Sequence, residues 1–485
     1  MKNRFAPISR VPPEVLSLIP DFWGVHEGDE VDEDDEDLIT LTHVCRAWRV
    51  IFISRSSLWK NFHCVSADKT RVYLERSKSS PINVWLDMFD VLPSYDPLFR
   101  IIPHSVGRLK SLSITAMPEA IPKIIAHLPP HAPLLERLEI DCTYRPWMRR
   151  DPALTTALFS GDLSSLRLLR LEGIRTELPW RNMVNLTTFA LCHMQQDTPT
   201  IPQLLDFFES APRLCEIDLD AATPVTGGQI GRLVSLACLK RMEFARGSPS
   251  SRLLSHLLVP VGAKLTVQGD SFESTIKDHL PRSLDNLRNI SNFTEIYLYI
   301  DRSIRVELSG PSGKFCMTSC RSSDNLRLEH LARLDTSQIE RLEVVGNNYP
   351  LTHGSYRGLL PLKTLRILTL SRFRSPYTLM AALRPNTGPL ACPKLEEFVL
   401  VLRTATEAID FKSLTEIAAA RALRGARLRT VRIVGGRDEP NLGSMAELGK
   451  HVLNVEHEPL VDAVDSDSDE SSDSDDSDDS DGDFW

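Results

Sequence analysis

Residues 135–140 read LERLEI, and the fold turns on whether this hexapeptide is an accident or a period. Its last two apolar residues, Leu138 and Ile140, lie two apart, which places both on one side of a short strand. Leu135 enters from the turn before. The same order, apolar-x-x-apolar-x-apolar, occurs as LKSLSI from 109, LRLLRL from 166, LTTFAL from 186, LCEIDL from 214 and LKRMEF from 239. It continues as FTEIYL from 293, IERLEV from 339, LRILTL from 365, LEEFVL from 395 and LRTVRI from 428. Start-to-start spacings are 26, 31, 20, 28, 25, 54, 46, 26, 30 and 33 residues. The two long gaps each leave room for a degenerate unit, and AKLTVQ around Leu265 is a candidate for the first. One match is common by chance in a Leu-rich chain, but eleven at mostly 20–33 residues form a repeat.

Helical stretches separate the units, often with a proline near the return: IPKIIAHLPPHAP, IPQLLDFFESAP and FKSLTEIAAARALRGA. A strand, a turn and a helix cannot bury their apolar faces alone, whereas stacked neighbours can. The pattern resembles leucine-rich repeats. That resemblance implies a parallel sheet lining the concave side of an arc with helices outside. The Asn or Cys of the strict repeat is mostly absent and unit lengths drift, so an irregular arc is expected. Residues 294–320, TEIYLYIDRSIRVELSGPSGKFCMTSC, break the rhythm and predict an antiparallel hairpin inserted on the sheet edge.

Within each unit the residue between the last two apolar positions should project from the concave face. Those residues are Ser113, Glu139, Arg170, Ala190, Asp218, Glu243, Tyr297, Glu343, Thr369, Val399 and Arg432. Glu139, Arg170, Asp218, Glu243, Tyr297, Glu343 and Arg432 are the candidate target-binding residues. Singly, each also reads as an ordinary solvated sheet position. The set mixes both signs and names no ligand class.

Upstream, VPPEVLSLIPDFW places Pro12 and Pro13 at a helix start, with Val15, Leu16 and Ile19 as an apolar stripe. LITLTHVCRAWRVIFIS then carries Leu38, Leu41, Val44, Cys45 and Trp48 at helical spacing, with Ile39, Ala47, Ile51, Phe52 and Ile53 adding apolar surface around the flanks. SSLWKNF closes the segment. This is more apolar surface than three short helices hide among themselves, and such a surplus marks a partner surface. The order Pro-Pro-Glu-Val-Leu, then Leu-x-x-Val-Cys-Arg-x-Trp, then Ser-Leu-Trp resembles an F-box. Placed before leucine-rich repeats, it is similar to substrate receptors of SCF-type cullin-RING ubiquitin ligases. The resemblance implies that Pro12, Pro13, Val15, Leu16, Ile19, Leu41, Val44, Cys45 and Trp48 interlock with the ligase's small adaptor protein, with Leu58 and Trp59 closing the module. Pro20 departs from the pattern by ending or kinking the first helix. An acidic run at 27–37 lengthens a normally short loop.

The expected fold class is therefore α/β: a small all-helical N-terminal F-box, an irregular leucine-rich-repeat-like solenoid and a disordered acidic C-terminal tail. The boundaries are 11–62 for the F-box-like module, 63–105 for a linker helix and first strand, 106–436 for the repeats and 437–485 for the tail. The tail cannot bury enough apolar surface to order itself. The net charge of −9 is carried by two segments: residues 465–483 hold eleven Asp/Glu and no base, and 27–37 hold nine more. The rest of the chain is thus mildly basic, without a basic, aromatic-interleaved block of nucleic-acid binders. Ser466, Ser472 and Ser480 each have Asp three residues on, the pattern acidophilic kinases favour.

Catalytic constellations are poor. GPSGK at 310–314 has two residues between its glycines where a phosphate loop has four, and Phe315 follows the lysine. The histidines show no H-E-x-x-H, and the close pair Cys316 and Cys320, with His330 downstream, would need two more well-spaced ligands to make a zinc site. No metal or cofactor is expected. The N-terminus lacks a signal-peptide core and no apolar run approaches a membrane span, so the expected location is cytoplasmic or nuclear. The expected function is a non-catalytic substrate-recognition adaptor, with the small adaptor protein, a cullin and an unknown protein substrate as partners, and no membrane or nucleic acid. The alternatives are a repeat scaffold without ligase association and an acidic-tail binder of basic proteins.

Overall fold

Many strands of the chain are launched by the same small turn. In the computed structural model, the N–H of the first apolar residue of a unit donates to the carbonyl three residues back: Leu135 to Ala132 (3.1 Å), Leu166 to Leu163 (3.0 Å), Leu186 to Met183 (3.0 Å), Leu214 to Ala211 (3.2 Å) and Leu395 to Cys392 (3.1 Å). Both ends of each of these turns are buried apolar residues. The next residue's N–H then reaches the preceding unit, as Arg167 does to Glu136 O at 2.8 Å. The hydrogen-bond ladder therefore begins before the strands themselves.

The structure describes residues 11–16, 18, 36–64, 66–88, 105, 107–128, 131–142, 153–154, 159, 163–176, 182–193, 199–220, 231–245, 250–269, 279–300, 303–320, 336–346, 362–372, 383, 390–402, 411–435 and 442–458. Pro20, the acidic residues 27–35 and the acidic tail from 465 lie outside them. The chain forms two compact units, Met1–Ile339 and Glu340–Trp485.

The first unit opens with α1 (Pro13–Leu16), α2 (Glu36–His43) and α3 (Arg46–Ser54), followed by a 3₁₀ turn at Ser56–Trp59. Then come β1 (Asn61–His63), α4 (Ala67–Arg76) and β2 (Ile82–Met88). Next are β3 (Leu109–Ala116), α5 (Ile121–His127), β4 (Arg137–Asp141), β5 (Leu168–Glu172) and β6 (Thr188–Cys192). The unit continues through α6 (Ile201–Ser210), β7 (Glu216–Asp220), β8 (Arg241–Ala245), α7 (Ser250–Leu254) and β9 (Lys264–Gly269). Three strands finish it: β10 (Glu295–Ile300), β11 (Ser303–Gly310) and β12 (Gly313–Cys320). From β1 to β9 neighbouring strands pair in parallel. β12 runs parallel beside β9, while β11 is antiparallel to both β12 and β10. The turn between β11 and β12 approaches other backbone closely. A Cβ at Gly313, whose φ is 143°, would meet Ala263 O at 2.7 Å, so the glycines of GPSGK serve a tight hairpin.

The second unit holds β13 (Arg341–Gly346), β14 (Ile367–Ser371), β15 (Glu397–Val401), α8 (Phe411–Leu423), β16 (Thr430–Val434), α9 (Leu442–Gly449) and β17 (Asn454–Glu458). Its five strands pair in parallel in chain order.

Every one of the eleven hexapeptides, and AKLTVQ besides, contributes to a strand. Their paired apolar residues face inward and are buried: Leu138 and Ile140, Leu169 and Leu171, Phe189 and Leu191, Met242 and Phe244, Leu368 and Leu370. Each buried side chain is worth roughly 1.5–3 kcal/mol, so the stacked rungs supply most of the cohesion. α6 shows how the helices join in. Thr200 and Gln203 form a reciprocal capping box, and Leu204, Leu205, Phe207 and Phe208 are buried, with the Phe207 ring 4.5 Å from that of Phe189.

This architecture corrects the expected fold class. The described residues make a mixed α/β protein dominated by mostly parallel sheet, with seventeen such strands against nine helices. Neither an all-helical N-terminal module nor a repeat solenoid is indicated. Residues 11–62 are not all helical, because β1 begins inside that segment and pairs with β2. The driving contacts are apolar: Trp59 and Phe62 are fully buried and pack on Tyr73 of α4, with ring centroids 5.0 and 5.4 Å away. Nor is a strand-turn-helix unit kept. Between β5 and β6 the described residues hold turns and the strand Arg175–Thr176, which pairs with Ala153–Leu154, but no helix. No helix among the described residues is long and apolar enough to cross a membrane.

Candidate functional site

Two surfaces carry the residues singled out in the sequence. The first is the N-terminal helical segment. Its apolar stripe does not stay together on one face. Leu16, Leu41, Trp48 and Phe52 form a buried cluster, with Val11, Cys45, Ile51 and Leu58 packed against it. Trp48 meets Phe52 edge-on, with ring centroids 5.4 Å apart. Trp59 is fully buried, and its indole N–H donates to Phe52 O at 2.9 Å. The Arg76 guanidinium lies over its ring at 4.3 Å, and burial, then the charge of Arg49, holds the Arg76 pKa below its ordinary value. Leu16, Leu41, Trp48 and Trp59 therefore hold the segment together and offer little to a partner.

What remains outside is a different set. Pro12 and Pro13 are exposed, Val15 and Val44 are each 51% exposed, and Cys45 and Leu58 are half-buried. Leu18 at 46% and Val50 at 69% join them, two residues the motif did not single out. Ile19 lies outside the described residues. These exposed large aliphatics lie on α1, the turn after it, the link between α2 and α3, and α3, and such apolar surface is relieved of contact with water only when something covers it.

The second surface is the sheet. In the first unit the register carries one row of residues across the strands. Glu139 stands beside Arg170, Arg170 beside Ala190, Ala190 beside Asp218 and Asp218 beside Glu243. The row runs on through Thr266, Cys316 and Glu307 to Tyr297. In the second unit Glu343, Thr369, Val399, Arg432 and Glu456 form a row of their own. Several of these residues are partnered: Glu139 by Arg137 at 3.3 Å, Glu243 by the Gln268 amide at 3.1 Å and Arg432 by Glu456 at 2.8 Å.

The sequence reading stopped one rung short. Two residues further along their strands, Asp141 pairs across to Glu172, and Glu172 to Cys192. Arg170 donates to Glu172 at 3.0 Å, Glu172 lies 2.9 Å from His193 Nδ1, and His193 Nε2 lies 3.5 Å from Asp220. His193 takes a left-handed backbone (φ 52°) just past β6, which sets its ring between the two buried carboxylates. Continuing the period-two alternation past the last apolar residue of each unit would have found Asp141, Glu172 and Asp220.

The electrostatics of this row are unbalanced. Burial, then the charges of Glu243 and Asp220, push the Asp218 carboxyl above its ordinary value. Burial, then Asp218, lifts the Cys192 thiol to about 12, so it stays protonated and unreactive. Burial works against the charge of Arg170, but its hydrogen bond to Glu172 and the surrounding carboxylates outweigh it and raise its pKa. A carboxyl with a raised folded pKa costs stability above that pKa, and the cost vanishes once pH falls below its unfolded pKa. Asp218→Asn is therefore expected to raise the melting temperature at pH 7 by on the order of 1 °C. The gain should shrink as pH falls toward 4, and a melting series across that range checks it.

The arrangement can bind charged and polar segments. No group of three metal-ligating side chains occurs among the described residues. No protein-family model matches the chain, and no curated protein matches its sequence.

Proposed function

We propose that this protein is a non-catalytic substrate-recognition adaptor of an SCF-type E3 ubiquitin ligase. The apolar surface of α1–α3 docks the small adaptor protein, and the largely half-buried polar rows of the sheet hold a protein target. Catalysis resides in the ligase's other subunits, and this chain supplies proximity to the target lysine. The observation that carries the reading is the residue order of 11–62, in which Pro-Pro-Glu-Val-Leu precedes Leu-x-x-Val-Cys-Arg-x-Trp and Ser-Leu-Trp. The exposure of Val15, Leu18, Val44 and Val50 around a packed Trp48–Phe52 pair supports it.

Burial dictates which variants test it. Leu16 and Trp48 are core residues, so changing them confounds binding with folding. Val15→Asp combined with Val44→Asp places two charges on exposed positions instead. In a pull-down from cells, the full chain should recover the adaptor and a cullin, and the double variant should lower that recovery about tenfold or more while its melting temperature is kept. Failure of the unaltered chain to recover either protein would rule the reading out.

A further inference from the structure

At the start of the sheet in the first unit the register assembles a different surface. Alternation sets Asn61 of β1 beside Asn83 of β2 and His63 beside Trp85, with Asp87 two residues further on. The two amides are joined, Asn83 Nδ2 donating to Asn61 Oδ1 at 2.7 Å. The His63 ring stacks on the Trp85 indole, centroids 5.5 Å apart and planes 23° from parallel, and its Nδ1 lies 3.2 Å from Asp87 Oδ2. One face of the half-buried indole is thus taken by His63, and the opposite face looks toward β3. There the register places only small side chains: Ser111 beside Asn83, Ser113 beside Trp85 and Thr115 beside Asp87. Beyond them β4 raises Arg137, Glu139 and Asp141 at the same three levels.

Small residues between two lines of larger ones make a trough that runs along the strands. Its walls stand two strand spacings apart, about 10 Å. Ser113 and Thr115 on the floor are half-buried, and Asp87 on one wall is exposed. Among the described residues the walls carry three carboxylates, Asp87, Glu139 and Asp141, against one guanidinium, Arg137, which lies 3.3 Å from Glu139. A carboxylate has about four acceptor sites, so the contacts of Asp87 with His63 and of Glu139 with Arg137 exhaust neither. An indole face flanked by carboxylates attracts a cation, through the ring quadrupole on one side and charge on the other. We propose that this trough seats the side chain of an arginine presented by a protein target, its guanidinium stacked on Trp85 and bonded to Asp87 and Glu139. Arginine fits better than lysine because its planar fork stacks and spans two carboxylates at once. The seat rests on the proposed target-holding role of the sheet, and it names the chemistry that role selects.

Fluorine NMR of the full-length chain carrying fluorotryptophan tests it, the Trp85 signal being the one lost in Trp85→Phe. The peptide acetyl-Gly-Arg-Gly amide should move that signal, with half-saturation in the millimolar range expected for one seated side chain. The lysine counterpart should bind several-fold more weakly. The citrulline counterpart, which keeps the shape and loses the charge, should leave the signal in place. Ser113→Leu fills the floor without altering charge, and Asp87→Asn with Glu139→Gln removes charge without altering shape. Each should weaken the arginine peptide about tenfold. Glu343→Gln, in the second unit, should leave it unchanged, and unaltered melting curves show that each variant is folded. A Trp85 signal that no peptide moves, an equal response to citrulline, or binding that survives both trough variants would overturn the proposal. Arginine binding that persists in a chain unable to recover the adaptor would strike the ligase reading and leave the seat standing.

Discussion

Replacing Trp59 by alanine is expected to destabilise the N-terminal part of the chain by about 3–5 kcal/mol, the range for deleting a large buried aromatic. Trp59 is fully buried and sits where three elements meet. Its ring packs on Tyr73 of α4 and carries the Arg76 guanidinium on its face, while its N–H ties back to Phe52 O at the end of α3. Losing it opens a void between the helical segment and β1, and leaves a buried carbonyl without its donor. Trp59→Phe separates the two effects. It keeps most of the ring but not the N–H, and should cost about 1–3 kcal/mol. Urea denaturation gives both values, and hydrogen exchange should show protection lost first at residues 46–76. A midpoint shift for Trp59→Ala worth less than about 1 kcal/mol would contradict this account.

Arg421→Ala should have a comparable effect in the second unit, again about 3–5 kcal/mol. Arg421 lies near the end of α8 and is fully buried, with no carboxylate partner among the described residues. Its guanidinium donates to Ala391 O at 2.9 Å and Cys392 O at 2.7 Å. Burial lowers its pKa, although an arginine stays charged at any physiological pH. The two carbonyls belong to the turn that launches β15, where Cys392 takes a left-handed backbone (φ 48°) and Leu395 N–H closes back on Cys392 O. Arg421 thus pins a strained turn to the helix behind it. Arg421→Lys keeps the charge but offers no fork to span both carbonyls, so its loss should be nearly as large. Stability to urea and exchange at residues 390–435 are the measurements, and an alanine variant within about 1 kcal/mol of the parent would refute the role.

Both residues show where sequence reading stops. In the sequence Trp59 is one member of an apolar set, and nothing in SSLW says that its N–H reaches seven residues back. Nothing in FKSLTEIAAARALRGA marks Arg421 for burial, since burying an arginine depends on which carbonyls lie beneath it. The same gap split the partner-facing set. Leu16, Leu41 and Trp48 share the stripe with Val15 and Val44, yet the first three turn inward and the other two outward. A helical period gives a face. It does not give the neighbour that covers it.

What the sequence determined by itself is the rung. Apolar residues two apart, repeated through eleven units, place the strands and name the residues between them, because alternation is a local property of extended chain. It also told that the hairpin glycines were no phosphate loop. Tertiary structure decided the rest. Parallel pairing set Glu139, Arg170, Asp218 and Glu243 in one row and brought Glu172 of β5, His193 just past β6 and Asp220 of β7 together. It drew β1 into the sheet instead of closing a helical module, with Trp59 and Phe62 packed against Tyr73 of α4. Those outcomes depend on contacts between residues far apart in the chain, which no local period encodes.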